Sequence, residues 1–384
     1  MFKILIFSLL NLLAANVEAA PYTPIDPQQV LEKLPQSIRA TSVFRQLRLQ
    51  LTQNPKNIDI ATQLAKLYIE QSRQEGDPRY LGYAEAALAP WWKSVSPPVQ
   101  VLVLRATLLQ STHHFDQSLK DLDNVLKQDP DNGQAWITRA TILQVQGKYA
   151  EALNSCKQLY NLAPALITLT CINNVRHLSG EAAQSYAELK IAYAQNGDKN
   201  SGIDSWVMTL LAEMAYRLGD DVAAEQYFMA TIQLEDPDSY LLGAYADFLL
   251  DKKRPQEVIR LLKGKTKIDP LLLRYAEALK MVQSNKVAAQ IQVLQQTFAA
   301  ATMRGDTVHQ REQSRFELRL MNNPTKALML AKKNWQVQKE PADARVYLEA
   351  AIAMKDKQAI NTIKDWLATN NQQDANLKKL MANL

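Results

Sequence analysis

The sequence predicts an all-α protein assembled from repeated antiparallel helix pairs. Three observations carry that prediction. A stretch of helix-forming sequence is written twice, 34 residues apart, between 99 and 164. Glycine is scarce, at 11 in 384 residues, and alternating β patterns are rare. Proline recurs where one copy hands over to the next, at Pro130 and Pro164. A fixed period of this length marks stacked repeats, each leaning on its neighbours.

The doubled stretch is close in detail. Arg105-Ala106-Thr107-Leu108-Leu109 is echoed by Arg139-Ala140-Thr141-Ile142-Leu143, and Gln110 by Gln144. Phe115 recurs as Tyr149 and Leu119 as Leu153. Ala106 and Ala140 carry nothing beyond Cβ, so a second helix can approach closely. Phe115 and Tyr149 fill the corner of each pair. Pro130 and Pro164 cannot continue a helix and so fix the hand-over.

In chain order, the N-terminus reads as a cleavable export signal. Lys3 supplies the positive start, Ile4 to Ala15 is apolar apart from Ser8 and Asn11, and Val17-Glu18-Ala19 fits the small-x-small cleavage pattern. The apolar run is too short to span a membrane. No Cys follows it directly, which excludes a bacterial lipoprotein anchor, and no later stretch reads as transmembrane. Residues 20–57 form a Pro-rich segment, with Pro21, Pro24, Pro27 and Pro35, followed by a capping helix from Ser37 to Gln53. Ile58–Arg73 and Tyr80–Trp91 read as the first helix pair, and the two clean copies follow. Leu166–His177 and Glu181–Gln195 form a pair split at Ser179-Gly180. The period returns at Ser205, with Leu211, Ala212, Gly219, Ala224 and Phe228, and again with Tyr245, Ala246 and Leu249. Beyond Pro270 the copies degrade, but six more helices are legible: Leu271–Val282, Val287–Met303, Val308–Met321, Thr325–Val337, Ala342–Met354 and Lys357–Ala368.

These residues resemble a tetratricopeptide repeat (TPR) protein of an exported bacterial type. The copy at 133–166 fits best, with Trp136, Ala140, Leu143, Gly147, Tyr149, Ala152 and Pro164 at the family's offsets. The resemblance implies a right-handed superhelical solenoid whose first helices line a concave groove. The expected organisation is a signal peptide (1–19), the N-terminal segment and cap (20–57), TPR-like repeats (58–272), then degenerate helical repeats and a C-terminal cap (273–384).

Composition excludes several roles. A net charge of +5 is mild for this length, and no run of five Lys or Arg occurs. A nucleic-acid surface is therefore not indicated. Four His are present, and only His113-His114-x-Asp116 clusters metal-ligand types. Adjacent side chains on a helix diverge by about 100°, and the cluster falls at an inter-helix turn, so it reads as a solvated turn. No nucleophile elbow, phosphate-cradling loop or His-Glu-x-x-His helix is present. Neither an enzyme nor a cofactor is expected.

Two cysteines remain, Cys156 and Cys171, on helices that neighbouring repeats pack together. In an oxidising compartment they form either a bridge closing about 15 residues or two buried thiols. The groove row in the early copies is Thr107 and Gln110, then Thr141 and Gln144, while later copies offer Trp206, Tyr216 and Tyr240 with acidic Glu213, Asp247 and Asp251. Arg105 and Arg139 stand where the family prefers Leu. They either hold an acidic partner or pair internally with Asp121 or Asp123, and the internal pair is the commoner fate. Trp91-Trp92 before Pro97-Pro98 is a candidate exposed patch, although core packing claims at least one Trp more often. The function these features point to is a periplasmic or secreted scaffold. It would bind a protein or peptide on its groove, in assembly or maturation of an envelope or exported complex. The alternative is a module for a glycan or cofactor stacked on the groove aromatics.

Overall fold

The computed structural model describes residues 38–197, 202–234, 237–303, 305 and 308–382. The expected signal peptide with its cleavage motif and the Pro-rich run at 21–35 lie outside the described residues. The chain divides into two units at Arg45, and every helix pair belongs to the second, Gln46–Leu384.

Among the described residues the regular structure is entirely helical. After α1 (Ile38–Gln53), the pairs are α2 (Ile58–Glu75) with α3 (Arg79–Ala87), α5 (Val99–Ser111) with α6 (Phe115–Gln128), and α7 (Gly133–Val145) with α8 (Tyr149–Lys157). The short α4 (Ala89–Trp92) lies between the first two pairs. Next come α9 (Ala165–His177) with α10 (Ala182–Asn196), α11 (Gly202–Leu218) with α12 (Asp221–Ile232), and α13 (Ser239–Asp251) with α14 (Pro255–Leu261). The last are α15 (Asp269–Met281) with α16 (Val287–Met303), α17 (Gln310–Arg319) with α18 (Pro324–Val337), α19 (Pro341–Met354) with α20 (Lys357–Thr369), and α21 (Ala375–Ala382). The architecture is an all-α repeat solenoid. The six helices expected beyond Pro270 are present within two residues at each end. The helix expected over Tyr80–Trp91 is broken at Leu88 instead, because Pro90 has no N–H to continue the ladder.

Small residues set the approach within each pair. Ala106 is fully buried, and Ser118 on the facing α6 donates its hydroxyl to the Ala106 carbonyl at 2.7 Å. The degenerate pair α17–α18 repeats the device, with Ser314 donating to Ala327 at 2.8 Å. The turn inside each pair also repeats. A left-handed residue ends the first helix each time: Gly76, His113, Gly147, Gly180, Gly219, Lys253, Gln283, Asn322 and Lys355. A residue with positive φ lets the chain leave a helix and satisfy its last carbonyls. That shared geometry persists where sequence similarity has faded.

The C-terminal helices fold back on the early turns. The Lys339 N–H donates to the Val145 carbonyl at 2.7 Å, and the Gln372 amide donates to the Tyr149 hydroxyl at 2.9 Å. Asn376 donates to the Tyr216 carbonyl at 3.3 Å, and the Gln338 amide lies 2.9 Å from His113 Nε2. At Gly147 a Cβ would meet Lys339 side-chain atoms at 3.4 and 3.5 Å. The turns of α5–α6, α7–α8, α9–α10 and α11–α12 therefore form one edge on which residues 338–376 rest.

Candidate functional site

The early row divides into committed and open side chains. Arg105 donates to both oxygens of Asp121 at 2.7 Å and to the Trp92 carbonyl at 2.6 Å. The pair is largely enclosed, and with three of its donors used Arg105 is an internal strut. Arg139 reaches Asp123 at 3.2 Å and Ser155 at 2.7 Å, but Asp123 is half-exposed. Thr107 is buried and donates to the Val103 carbonyl at 3.0 Å. Thr141 is exposed and donates to the Ile137 carbonyl at 2.9 Å. Gln110 and Gln144 are half-exposed, and Gln144 accepts from the Asn174 amide at 3.1 Å. Trp91 and Trp92 are both half-buried.

The late row is filled. Trp206 packs against the cluster around Leu189, Leu211 and Met214. Tyr216 donates to Asp251 and meets Phe248 edge-on at 5.3 Å. Tyr240 keeps 57% of its surface, and its hydroxyl donates to Glu213 at 2.8 Å. Of the acidic residues expected here, Asp247 and Asp251 are matched by arginines from later first helices. Arg274 reaches Asp247 at 2.6 Å, and Arg315 reaches Asp247 at 2.6 Å and Glu277 at 2.6 Å. Arg319 ties Glu277 at 3.1 Å to Glu349 at 2.8 Å. Arg345 grips Asp251 with two donors at 2.5 and 2.6 Å and reaches Glu349 at 2.8 Å. Arg311 lies 3.1 Å from Glu312, 3.0 Å from Glu340 and 3.4 Å from Asp343.

The electrostatics follow from this pairing. Burial opposes ionisation of Asp247, yet Arg274 and Arg315 hold its carboxyl well below the usual range. Burial works against Glu349 as well, but Arg319 and Arg345 pull it down to about 2. Asp343 goes the other way: burial outweighs Arg311 and lifts it to about 6. Burial, and then the Arg217 charge, hold His177 neutral by lowering it to about 3.

None of these arginines was visible as a site from the sequence. The available signal was Arg311, Arg315 and Arg319 at successive i+4 positions on one helix face. Apart from Glu312, their carboxylate partners lie about 30 or more residues away, as Glu340 does from Arg311 at 29, Glu349 from Arg319 at 30 and Glu277 from Arg315 at 38, beyond any local pattern.

The cysteines and histidines resolve by geometry. Cys156 on α8 and Cys171 on α9 are bridged, with Cα atoms 5.6 Å apart. His113 takes the left-handed turn position at φ 60° and stacks on Phe115 at 5.3 Å. It therefore touches Gln338 and Phe115 and is not only a solvated turn residue. Among the described residues, no group of three His, Cys, Asp or Glu is placed to hold a metal. No described helix is long and apolar enough to cross a membrane.

Two cavities flank the folded-back segment. One, of about 120 Å³, is lined by Glu213, Arg217, Asp247, Arg315, Arg345 and neighbours. The other, more open and about 370 Å³, lies between the 147–151 turn and residues 369–371.

No family model matches this sequence. No curated protein matches it either. Solved structures show a partial likeness. A tetratricopeptide repeat protein from Parabacteroides merdae is 15% identical with a TM-score of 0.42, covering 67% of this chain and 92% of its own. A human IFIT1 dimer with m7Gppp-AAAA is 14% identical with a TM-score of 0.47, covering 86% of each chain. Yeast Tom70 is 14% identical with a TM-score of 0.42, covering 85% of this chain and 62% of its own. Each likeness stays below a TM-score of 0.5, so the fold assignment stands on the helix pairs themselves.

Proposed function

We propose that this chain is an exported scaffold that holds an extended stretch of another protein on the first-helix face of α5, α7 and α9. Its setting would be the assembly or maturation of an envelope or exported complex. One observation carries the reading: Gln110, Thr141, Gln144 and Asn174 form a neutral row that stays at least partly exposed. Amide and hydroxyl side chains suit backbone hydrogen bonding along an extended peptide. Rigid helices present them at little ordering cost. Arg139, at the edge of this row, would add a charged contact, whereas Arg105 is spent internally.

Export rests on Lys3, the apolar run to Ala15 and Val17-Glu18-Ala19. The Cys156–Cys171 bridge supports an oxidising compartment. The glycan or cofactor reading loses support because Trp206 and Tyr216 are packed, which leaves Tyr240 as the exposed ring.

The test is site-specific photo-crosslinking in cells. A probe at position 141 or 144 should capture one discrete partner, and a probe at Met229, exposed on the second helix α12, should not. Capture from 229 alone sinks the reading, as does no capture at 141 or 144 while a sugar protects the protein thermally. Mass spectrometry of the periplasmic chain should find its N-terminus at Ala20, and a retained Met1 would refute the signal.

A further inference from the structure

The cavity of about 120 Å³ has room for several waters. Six arginines line it, and five of them are held by carboxylates: Arg274, Arg311, Arg315, Arg319 and Arg345. Arg217 is the exception. No carboxylate among the described residues lies at ion-pair distance from it, and its buried Nε has no hydrogen-bond partner. Arg217 is half-buried, and a buried Nε without a partner is unfavourable, while an oxyanion would take two of the guanidinium donors at once.

The natural partner is absent for a visible reason. Glu213 lies one turn before Arg217 on α11, the order and spacing that favour a helix ion pair. Instead, one Glu213 oxygen accepts from the Tyr240 hydroxyl at 2.8 Å. The other has no hydrogen bond among the described residues. Glu213 and Arg217 thus line the same space, one with an acceptor to offer and the other with donors.

A bare anion in this space meets repulsion from Glu213. An oxyanion that carries its own O–H or N–H does not, because that donor satisfies the carboxylate. We propose that this cavity binds a small oxyanion bearing a donor group, with Arg217 holding the charged oxygens and Glu213 accepting the donor. Hydrogen phosphate, a short hydroxy acid and an amino acid share that chemistry. The site uses α11 and the late first helices, so it stands apart from the peptide face on α5, α7 and α9.

Calorimetric titration of the mature chain near pH 7, at matched ionic strength, tests this. The probes are phosphate against sulfate, glycolate against acetate, and glycine. At least one donor-bearing ligand should bind, and its donor-free counterpart should bind more weakly. Which of the three binds identifies the source. Arg217→Gln should weaken binding by about tenfold, the loss of one charge-assisted hydrogen bond, with unchanged circular dichroism. Arg260→Gln, at an exposed position on α14 and away from the cavity, should have no effect. Glu213→Gln should erase the preference over sulfate or acetate, and it carries the test alone if Arg217→Gln fails to fold. Failure of every donor-bearing probe to bind overturns the proposal. Equal binding by Arg217→Gln overturns it too and marks an adventitious ion only. Equal affinity for the donor-free partners in the wild type removes the role of Glu213 and with it the proposal.

Discussion

The same helix face is used in two ways along this chain. In α5 and α7 it carries neutral side chains, with Thr141 exposed and Gln110 and Gln144 half-exposed. From α13 to α19 it carries carboxylates and guanidiniums that close on one another across four first helices. A repeat array presents its first helices wherever nothing covers them. Here the late first helices cover each other, so the first-helix surface that stays open is the early one. The ion pairs act as internal struts there, and each costs desolvation that only full pairing offsets.

The sharpest way to break this contrast is at Arg315, which is buried between Asp247 and Glu277. Arg315→Ala should strip Asp247 and Glu277 of one guanidinium each, leaving them only Arg274 and Arg319, and cost about 3–5 kcal/mol, read by urea unfolding. A loss below about 1 kcal/mol would mean that water replaces the guanidinium and that the late face is open like the early one.

The early half has its own strut in the bridge between α8 and α9. Reduction, or Cys156→Ser with Cys171→Ser, should cost roughly 3 kcal/mol for a closed loop of this length. A thiol count on the unfolded, unreduced protein should find none. Two free thiols would leave the early repeats held by packing alone.

Acid should act chiefly on the late half. Glu349 titrates near 2, below its ordinary 4.5, so its contribution is present above about 4.5 and lost as pH falls through 2. Asp343 is opposite in sign: raised to about 6 from 3.8, its contribution is full below about 3.8 and lost as pH rises through 6. Unfolding midpoints across pH should therefore fall less steeply below 4.5 in Glu349→Gln. They should run flatter between 4 and 6 in Asp343→Asn. An unchanged acid limb in Glu349→Gln would place the acid sensitivity elsewhere.

A smaller effect joins the two halves. Tyr149→Phe removes the acceptor for Gln372 and should cost about 1 kcal/mol. No change would mean that the folded-back segment is held by Lys339 and Asn376 without it.

Much of the fold was legible because it rests on local pattern. Ala106, Ala140, Phe115, Tyr149, Pro130 and Pro164 each act through neighbours within one or two repeats. The six helices past Pro270 were legible from apolar spacing alone. What was not legible depends on distant residues. Arg345 finds Asp251 across 94 positions and Gln372 finds Tyr149 across 223. No periodicity records such a meeting. The acidity of the late face was visible at Asp247 and Asp251, but its neutralisation was not. His113 drew attention as a ligand type, whereas its left-handed backbone assigns it to the turn that Gly147 and Gly219 fill elsewhere.

The smallest stability effect is expected where the functional effect is largest. The Thr141 hydroxyl donates only to its own helix carbonyl, and Gln144 accepts a single hydrogen bond, from Asn174. Neither side chain supports the late network. Thr141→Ala with Gln144→Ala should therefore shift stability by no more than about 0.5 kcal/mol, as surface changes usually do. The same pair should abolish the partner crosslink from a probe at Gln110, which shares the row. Arg315→Ala should show the reverse, a large loss of stability with the crosslink retained under conditions where the chain stays folded. If the early pair destabilises the protein instead, that face is packed and the two halves do not differ in kind.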